Sequence, residues 1–419
     1  MRPMTHRTMH RAALPVRPAR TARPRATRHA WRAGLGALLL AACNDAPSAP
    51  PTADAARAPA LAVQGEARSD YIVVLKERDR SQVRSTTLTL ANAVGARVKA
   101  QWQDALQGFV GDMTDEAAEL LRRRPEVLLV EKDGPVHATA TQLNAPSWGL
   151  RRIDQRFLPM DANYTYNKTG AGVHVYIIDT GIRPTHADFA GRVLGGFSVI
   201  AGGITDCNGH GTHVAGTVAG STYGVAKQAW IHPVRVLDCA GSGTWAGVIS
   251  GIDWVRINRV QPAVANLSLG GGFSAAVNLA VNNLVALGNV ATAVAAGNSG
   301  VNACTQSPSS ATNAVIVGAT ASNDVRPAWS NFGPCLDLFA PGVSITSDWH
   351  TSNIAINTIS GTSMAAPHVA GVMAQVRQWS PAASAAAVQN NVVANATVGV
   401  VGNPGVGSPN RLLYMGYIP

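Results

Sequence analysis

From about residue 172 onward, apolar runs rich in β-branched residues alternate with stretches of helical character. The first run, "GVHVYIIDTGI" at 172–182, is typical of a strand that ends at Asp179. Such alternation predicts helices packed around a mostly parallel sheet. We therefore expect an α/β fold here, with functional residues near the carboxyl ends of the strands.

The distribution of glutamate divides the chain near residue 140, because every glutamate precedes that position and none follows it. The part before residue 140 contains six patterns: a strand at 70–76, a helix at 81–94, strands at 96–102 and 108–113, a helix at 114–124 and a strand at 126–133. This βαββαβ order predicts a small ferredoxin-like α+β module. At about seventy residues the module is marginally stable alone, so we expect it to depend on the downstream domain.

The formal net charge of +10 points to a nucleic-acid or anionic-membrane partner until the charges are located. Nine arginines and no acidic residue lie within residues 1–43, whereas the part from 140 onward is nearly balanced. The basicity therefore belongs mainly to the leader, and we expect no nucleic-acid partner.

Residues 1–43 have the character of an export leader, and an Ala/Pro-rich disordered linker is expected at 44–68. The apolar run before Cys43 is too short to span a bilayer. The segment "LAAC" at 40–43 resembles a bacterial lipobox, in which the cysteine is lipidated. An ordinary signal peptide is the alternative.

The four remaining cysteines lie in the C-terminal part, at Cys207, Cys239, Cys304 and Cys335. Because an exported protein meets oxidising conditions, disulfides are expected. Three pairings are possible, of which 207–239 and 304–335 are the economical choice because each joins two cysteines that are close in sequence.

A lone hydroxyl stands out in "GTSMAAPHVAG" at 361–371, where Ser363 is surrounded by small and apolar residues. The serine either caps a helix or acts as a nucleophile at a helix N-terminus. The segment "DCNGHGTHVAGTVAG" at 206–220 places His210 and His213 on one helical face. A metal site there would need further ligands that the neighbouring sequence does not supply, so a general base is the better interpretation.

Asp179, His210 and Ser363 together form the set that nucleophilic acyl transfer requires, although Asp179 could instead cap the next helix. Five segments, "IIDTGI", "NGHGTHVAGTV", "NLSLGGG", "VAAGNSG" and "SGTSMAAPHVAG", occur in the order and approximate spacing of the subtilases. From 145 to 414 the chain resembles this family of serine proteases, within it the proteinase K group and its aqualysin-type bacterial members. Residues 69–139 resemble the inhibitory propeptide of the same enzymes.

The resemblance implies a subtilisin-like three-layer fold for residues 140–419, with processing near Thr139–Ala140. Asp179 matches the triad carboxylate, His210 the base and Ser363 the nucleophile. Asn298 matches the side chain that binds the oxyanion together with the Ser363 N–H. His213 matches a structural histidine, and the cysteines match the disulfides 207–239 and 304–335.

The segments "GSGTW" at 241–245 and "SLGGG" at 268–272 match two backbone edges that grip an extended peptide through main-chain hydrogen bonds. The small residues at 295–297 predict a roomy, uncharged S1 pocket with a broad preference for apolar or aromatic residues. The substrate-binding residues implied are Ser242, Gly243, Thr244, Ser268, Leu269, Gly270, Ala296 and Gly297.

No cofactor is expected for the chemistry, but the resemblance implies structural Ca²⁺. One site would use the carbonyls of Thr312 and Ala314 with the carboxylate of Asp337, which are ligands that Ca²⁺ prefers. A second family site near the mature N-terminus retains Asp154 and Asp161. Phe157 occupies one of its carboxylate positions, so we do not expect that site to be intact.

We therefore expect a secreted, monomeric serine endopeptidase made as an autoprocessed zymogen, with its propeptide as intramolecular inhibitor and folding aid. If Cys43 is lipidated, the precursor is membrane-anchored and processing releases the enzyme. The alternatives are a catalytically silent peptide-binding fold, an esterase and a metal hydrolase. The intact set of four polar residues argues against the first, and the peptide-gripping edges argue against the second. Insensitivity to serine-directed reagents would favour the third.

Overall fold

The computed structural model describes residues 67–76, 79–134 and 140–419. The predicted leader at 1–43 with Cys43, most of the 44–68 linker, and Thr139 at the predicted processing point lie outside these ranges. Within them, none of the helices combines the length and the apolar character needed to cross a membrane.

The residues before 135 form a four-stranded sheet with two helices, and the predicted βαββαβ order is confirmed. The strand order β2-β3-β1-β4 is that of a ferredoxin-like fold, with β1–β4 and β2–β3 paired antiparallel. Thr114 caps the second helix, because its Oγ1 accepts the Ala117 N–H at 3.2 Å. The elements are β1 Arg68–Leu75, α1 Arg80–Ala93, β2 Arg97–Trp102, β3 Gly108–Thr114, α2 Asp115–Arg122 and β4 Val127–Lys132.

The residues from 140 onward contain one large sheet, several small strand pairs and six α-helices in the part of the chain described. The elements are β5 Ala140–Gln142, α3 Trp148–Ile153, β6 Tyr164–Tyr166, β7 His174–Asp179, β8 Phe197–Ser198, α4 His210–Ala219, β9 Trp230–Arg235, α5 Trp245–Asn258, β10 Ala263–Leu267, β11 Gly271–Gly272, α6 Ala275–Ala286, β12 Ala291–Ala295, β13 Gln306–Ser307, β14 Val315–Thr320, β15 Leu338–Pro341, β16 Ile345–Asp348, β17 Ile356–Ile359, α7 Thr362–Trp379, α8 Ala385–Asn395, β18 Thr397–Val398 and β19 Arg411–Leu412. Two short 3₁₀ helices lie at Ala187–Phe189 and Ala303–Thr305.

The large sheet has the order β18-β19-β15-β14-β12-β10-β7-β9-β8 and is parallel except for β18, which pairs antiparallel with β19. Its strands are buried on both faces: in β7, Val175 and Ile177 face one hydrophobic cluster, while Tyr176 and Ile178 face the other. Helices α4, α7 and α8 contribute to the first cluster, and α5 and α6 to the second. The predicted three-layer α/β fold is therefore confirmed.

Both disulfides of the economical pairing are present, joining Cys207 to Cys239 and Cys304 to Cys335. The first ties the loop before α4 to the loop before α5. Both loops border the cavity described below, so this bond restrains its rim.

A pair of carboxyl groups, Asp348 and the partly exposed Asp188, lies beside helix α4. Asp348, the last residue of β16, is fully buried and neither of its oxygens receives a hydrogen bond within the described residues. Gly216 and Gly220 make room for the pair, since a Cβ on Gly216 would lie 2.6 Å from Asp348 Oδ2 and one on Gly220 would lie 2.3 Å from Asp188 Oδ2. Burial, and then the charge of Asp188, raise the pKa of Asp348 to about 9.

We expect Asp348→Asn to stabilise the protein at neutral and alkaline pH. The folded-state pKa exceeds that of an exposed aspartate, so between about pH 4 and pH 9 the folded protein binds more protons than the unfolded one. Stability therefore falls as pH rises through this window. An amide avoids that loss, with a gain of about 1–3 kcal/mol at pH 9 and little gain at pH 4.

Thermal unfolding of the purified protein at pH 4, 7 and 9 checks this expectation. Asp253→Asn, which removes an exposed carboxylate from α5, is the matched control. A lower stability of Asp348→Asn at pH 9 would contradict it.

Candidate active site

A cavity of about 890 Å³ opens at the carboxyl ends of β7, β10 and β12, where functional sites of parallel sheets are expected. The N-terminal turns of α4 and α7 border it. Among the residues singled out from the sequence, the following line it: His210, Ser242, Gly243, Thr244, Ser268, Leu269, Gly270, Gly297, Asn298 and Ser363.

Ala296 is predicted to bind substrate, and it does not line the cavity. Its side chain is fully buried in the second core cluster, whereas Ala295, which is also almost fully buried, borders the cavity. The reason is the alternation of side chains at the end of β12. The Ala296 N–H donates to the Val317 carbonyl, and its carbonyl accepts from Asn331 Nδ2, so its backbone is committed to the fold.

Asp179 and His210 are in direct contact. Asp179 is the last residue of β7 and is fully buried, and His210 begins α4 with a quarter of its side chain exposed. His210 Nδ1 lies 2.7 Å from Asp179 Oδ1, which also accepts the Thr180 N–H at 2.7 Å. Burial acts to lower the pKa of His210, but the charge and hydrogen bond of Asp179, aided by Asp206, raise that pKa above its ordinary value.

Ser363 lies in the first turn of α7, on the same cavity as His210. Its backbone N–H is among those that have no partner within a helix, so it is free to meet a ligand. The hydroxyl donates to the Ser268 carbonyl at 3.2 Å rather than to His210. Ser268 Oγ in turn donates to the Ser363 carbonyl at 2.9 Å, which joins α7 to the substrate edge.

Asn298 follows β12 and is held by its oxygen. Oδ1 accepts both the N–H and the hydroxyl of Thr362 at 2.8 Å. With the oxygen engaged in this way, the amide nitrogen is the end of the side chain that can donate toward Ser363. The turn that carries Asn298 is fixed in addition by the Gly297 N–H, which donates to Thr362 Oγ1 at 3.0 Å.

His213, the second histidine of "HGTH", is buried and directed away from the cavity. Its Nε2 lies 3.0 Å from the Ile345 carbonyl, so this nitrogen carries the proton and donates. Burial lowers its pKa to about 3. His213 therefore stays neutral and links α4 to β16. Among the described residues, no group of three or more His, Cys, Asp or Glu side chains is arranged to hold a metal ion.

Thr312, Ala314 and Asp337 surround a second cavity of about 420 Å³ beside α8. Asp337 Oδ2 accepts the Ile316 N–H at 2.8 Å, and burial raises the pKa of this carboxyl to about 6. A partly buried carboxylate that shares a cavity with Thr312 and Ala314, whose backbone carbonyls are further oxygen donors, is a donor set that fits a hard cation such as Ca²⁺.

Near the start of the large domain, Phe157 is about two-thirds exposed and brings no ligand to the second predicted calcium site. Asp154 Oδ2 accepts the Thr165 N–H, but Oδ1 is buried without a partner. Burial, and to a lesser degree the charge of Asp161, raise the pKa of Asp154 to about 6. Two carboxyl groups thus remain together where the family site would have more.

Sequence reasoning missed several residues of the cavity, chiefly Trp245 and Gln306. Trp245 is the last residue of one predicted edge but was not among the substrate-binding residues implied there, and its ring packs against Gly271 at the other edge. Its place in "GSGTW" was a usable signal. Gln306 lies in β13, outside the recognised segments, and the pairing of β13 with β11 brings it to the cavity.

Comparison with family models matches residues 170–413 to the subtilase family and residues 70–139 to peptidase inhibitor I9. The chain belongs to the subtilase family. An "Extracellular serine proteinase" of Thermus sp. (strain Rt41A) is 48% identical to this subtilase over 403 residues, which cover 91% of this chain and 97% of that protein. "Alkaline serine exoprotease A" of Vibrio alginolyticus is 47% identical over 326 residues, covering 76% and 60% of the two chains.

A crystal structure of a cold-adapted subtilisin-like serine proteinase matches the same fold with a TM-score of 0.62 and 48% identity. The match covers 64% of this chain and 97% of that one. The subtilase described here is therefore a serine-type endopeptidase, and an I9 propeptide region precedes its peptidase domain.

Proposed function

We propose that this subtilase cleaves extended segments of proteins with Ser363 as nucleophile, His210 as general base and Asp179 as the carboxylate that orients the base. The hydrogen bond between His210 Nδ1 and buried Asp179, at the edge of the cavity that Ser363 lines, carries the proposal. It fixes the tautomer of the imidazole, so that Nε2 has the lone pair that a base requires.

In the proposed reaction the Ser363 hydroxyl turns from the Ser268 carbonyl toward His210 Nε2. Oγ then attacks the scissile carbonyl carbon as its proton passes to Nε2, and the imidazolium returns that proton to the leaving amine. The oxyanion accepts hydrogen bonds from the Ser363 N–H and Asn298 Nδ2. Water repeats the sequence on the acyl-enzyme.

The substrate strand is proposed to lie between the edges 242–244 and 268–270, which face each other across the cavity. None of the cavity-lining residues in the described chain is Asp, Glu, Lys or Arg. Ala295 and Gly297 leave room for a side chain, and a charged one would lose hydration there without gaining a partner. We infer a broad preference for apolar and aromatic P1 residues.

A series of peptide amides that differ only at P1 tests this function. We expect kcat/KM for Phe and Leu to exceed that for Lys and Glu by at least about tenfold, the cost of leaving one charge unpaired. Treatment with a serine-directed reagent should stop hydrolysis of every amide in the series. Equal rates on Lys or Glu substrates would contradict the pocket assignment. Hydrolysis of matched esters with little cleavage of the amides would contradict peptidase function.

We further propose that residues 1–43 direct export, with Cys43 as a lipidation site, and that cleavage near Thr139–Ala140 yields an extracellular, monomeric enzyme. Two observations support the cleavage position. The I9 match ends at residue 139, and strand β5 begins at Ala140, where it pairs with β6. The name of the relative from Thermus, "Extracellular serine proteinase", supports export.

Structural Ca²⁺ is proposed at Thr312, Ala314 and Asp337. We expect millimolar Ca²⁺ to raise the unfolding temperature of the inhibited enzyme, with about 2.7 kcal/mol of stabilisation at one hundred times Kd. Asp337→Asn should abolish most of this gain. Asp154→Asn removes one carboxylate from the second predicted calcium site and should leave the gain from Ca²⁺ unchanged. The opposite pattern would move the site to Asp154.

A further inference from the structure

The helix that carries His210 begins without a cap of its own. Its N-cap residue, Gly209, has φ 108° and no side chain to accept from the first turn. The ring of Trp349 and the imidazole of His350 pack against it so closely that a Cβ would lie within 2.6 Å of both. A capping Ser, Thr, Asp or Asn is therefore excluded at this position, although free N–H groups of a first turn need acceptors.

Three side chains from outside the helix supply those acceptors. The N–H of His210 donates to Asn208 Oδ1 at 3.2 Å, and the N–H of Gly211 donates to Thr180 Oγ1 at 2.8 Å. The N–H of Thr212 donates to Asp206 Oδ2 at 2.9 Å.

Asp206 connects these contacts into one unit. Its side chain is almost fully buried, and it accepts five hydrogen bonds: the hydroxyl of Thr180 at 2.9 Å, the N–H groups of Asn208, Gly209 and Thr212 at 2.9 Å, and the hydroxyl of Thr212 at 2.6 Å. An ionised carboxylate is the side chain that accepts this many donors without offering one. Thr180 directly follows Asp179, so the same carboxylate reaches both the strand end and the helix start.

We propose that Asp206 is a positioning residue for catalysis, because its carboxylate holds the first turn of α4, and with it His210, in register with the end of β7 that carries Asp179. This inference rests on the proposed roles of His210 and Asp179. Asp206 touches no reacting atom and does not line the cavity, so it acts through the two residues that it places. Its negative charge near His210 also favours the imidazolium that forms during the reaction.

The test compares Asp206→Asn with Asp253→Asn in the full-length chain after processing. We expect Asp206→Asn to lower kcat by roughly 10- to 100-fold, as a small misplacement of a reacting group does, and to leave KM within about threefold because the substrate edges are untouched. The acid limb of kcat/KM should move to lower pH, since one of the two carboxylates that raise the His210 pKa is gone. Asp253→Asn should behave as wild type.

The groups that face His210 are Asp179, Asp206, His213 and, beside the turn at Gly209, His350. His213 is neutral in the working range because burial lowers its pKa to about 3. The pH profile of kcat/KM is therefore measured again after His350→Asn is added to Asp206→Asn and to Asp253→Asn. The shift of the acid limb caused by Asp206→Asn should persist.

If Asp206→Asn does not mature, Thr180→Val replaces it, with Thr180→Ser as the matched variant that keeps the hydroxyl. The valine variant should lose kcat and the serine variant should retain it. Unchanged kcat and acid limb in Asp206→Asn, or equal loss in the two Thr180 variants, would overturn the positioning role. That failure is distinct from failure of the proposed function, which would show as activity retained by Ser363→Ala.

Discussion

Ser363→Ala in the full-length chain should leave the precursor uncut, whereas the wild type should release a fragment that begins near Ala140. Removing the nucleophile of a Ser-His-Asp set lowers kcat by about 10⁶-fold. Processing that takes minutes in the wild type would therefore be too slow to observe in the variant. Intact mass of the two purified proteins measures the outcome directly. Assays of the wild type and Ser363→Ala on a peptide amide with Phe at P1 distinguish loss of catalytic activity from loss of processing.

Ser360→Ala is the matched control, because it removes an exposed hydroxyl three residues upstream on the same segment, one that accepts a hydrogen bond from the Ser344 N–H. It should mature as the wild type does. If Ser363→Ala is cut as readily as the wild type, another protease processes the chain and self-processing is wrong. If the wild type stays uncut and inactive on amides, the proposed catalytic roles are wrong as well.

The fold was largely predictable because its determinants are local. A buried parallel strand such as β7 needs a continuous apolar run, and the six elements of the N-terminal module show their own periodicity and caps, as at Thr114. Element bounds differ from expectation by one or two residues, which is the uncertainty that fraying helix ends introduce. The parallel sheet then places the strand ends, and hence Asp179, at one edge.

The residues that support the site were harder to predict from the sequence. Asp206 was part of a quoted segment, but its hydrogen bond from Thr180, which links it to the end of β7, joins residues that are brought together only by the tertiary fold. Asp348 and Asp188 form a pair across a much larger separation in sequence, and nothing local marks Asp348 as buried. Such contacts are set by tertiary packing rather than by propensity or period, so sequence patterns do not report them.

Ala296 shows a finer limit of the same kind. The sequence places 295–297 at the end of a strand, but it does not say where the alternation of side chains stops. Because the backbone of Ala296 still pairs with Val317, its side chain joins the second core cluster, whereas Ala295 belongs to the first cluster and also borders the cavity. A shift of one residue exchanges the two faces. Predicting which residues line a pocket therefore requires the register of the strand, whereas predicting triad residues at the ends of elements does not.

Replacing Asn298 should remove transition-state stabilisation while leaving substrate binding nearly intact. Asn298→Asp keeps the oxygen that Thr362 holds but replaces the donor Nδ2 by an acceptor, and Asn298→Ala removes both. We expect each to lower kcat by roughly 10²- to 10³-fold, as for the loss of one such donor in subtilisin, with KM within about threefold. Steady-state kinetics on the Phe amide measures both parameters.

The two variants also separate catalysis from support of the loop. Asn298→Ala gives up the hydrogen bonds to Thr362 and should lower the unfolding temperature, whereas Asn298→Asp retains an acceptor there and should lower it less. A kcat for Asn298→Asp within threefold of wild type would contradict the oxyanion role. A rise in KM at constant kcat would instead place Asn298 in ground-state binding, since only an interaction that strengthens in the transition state raises kcat.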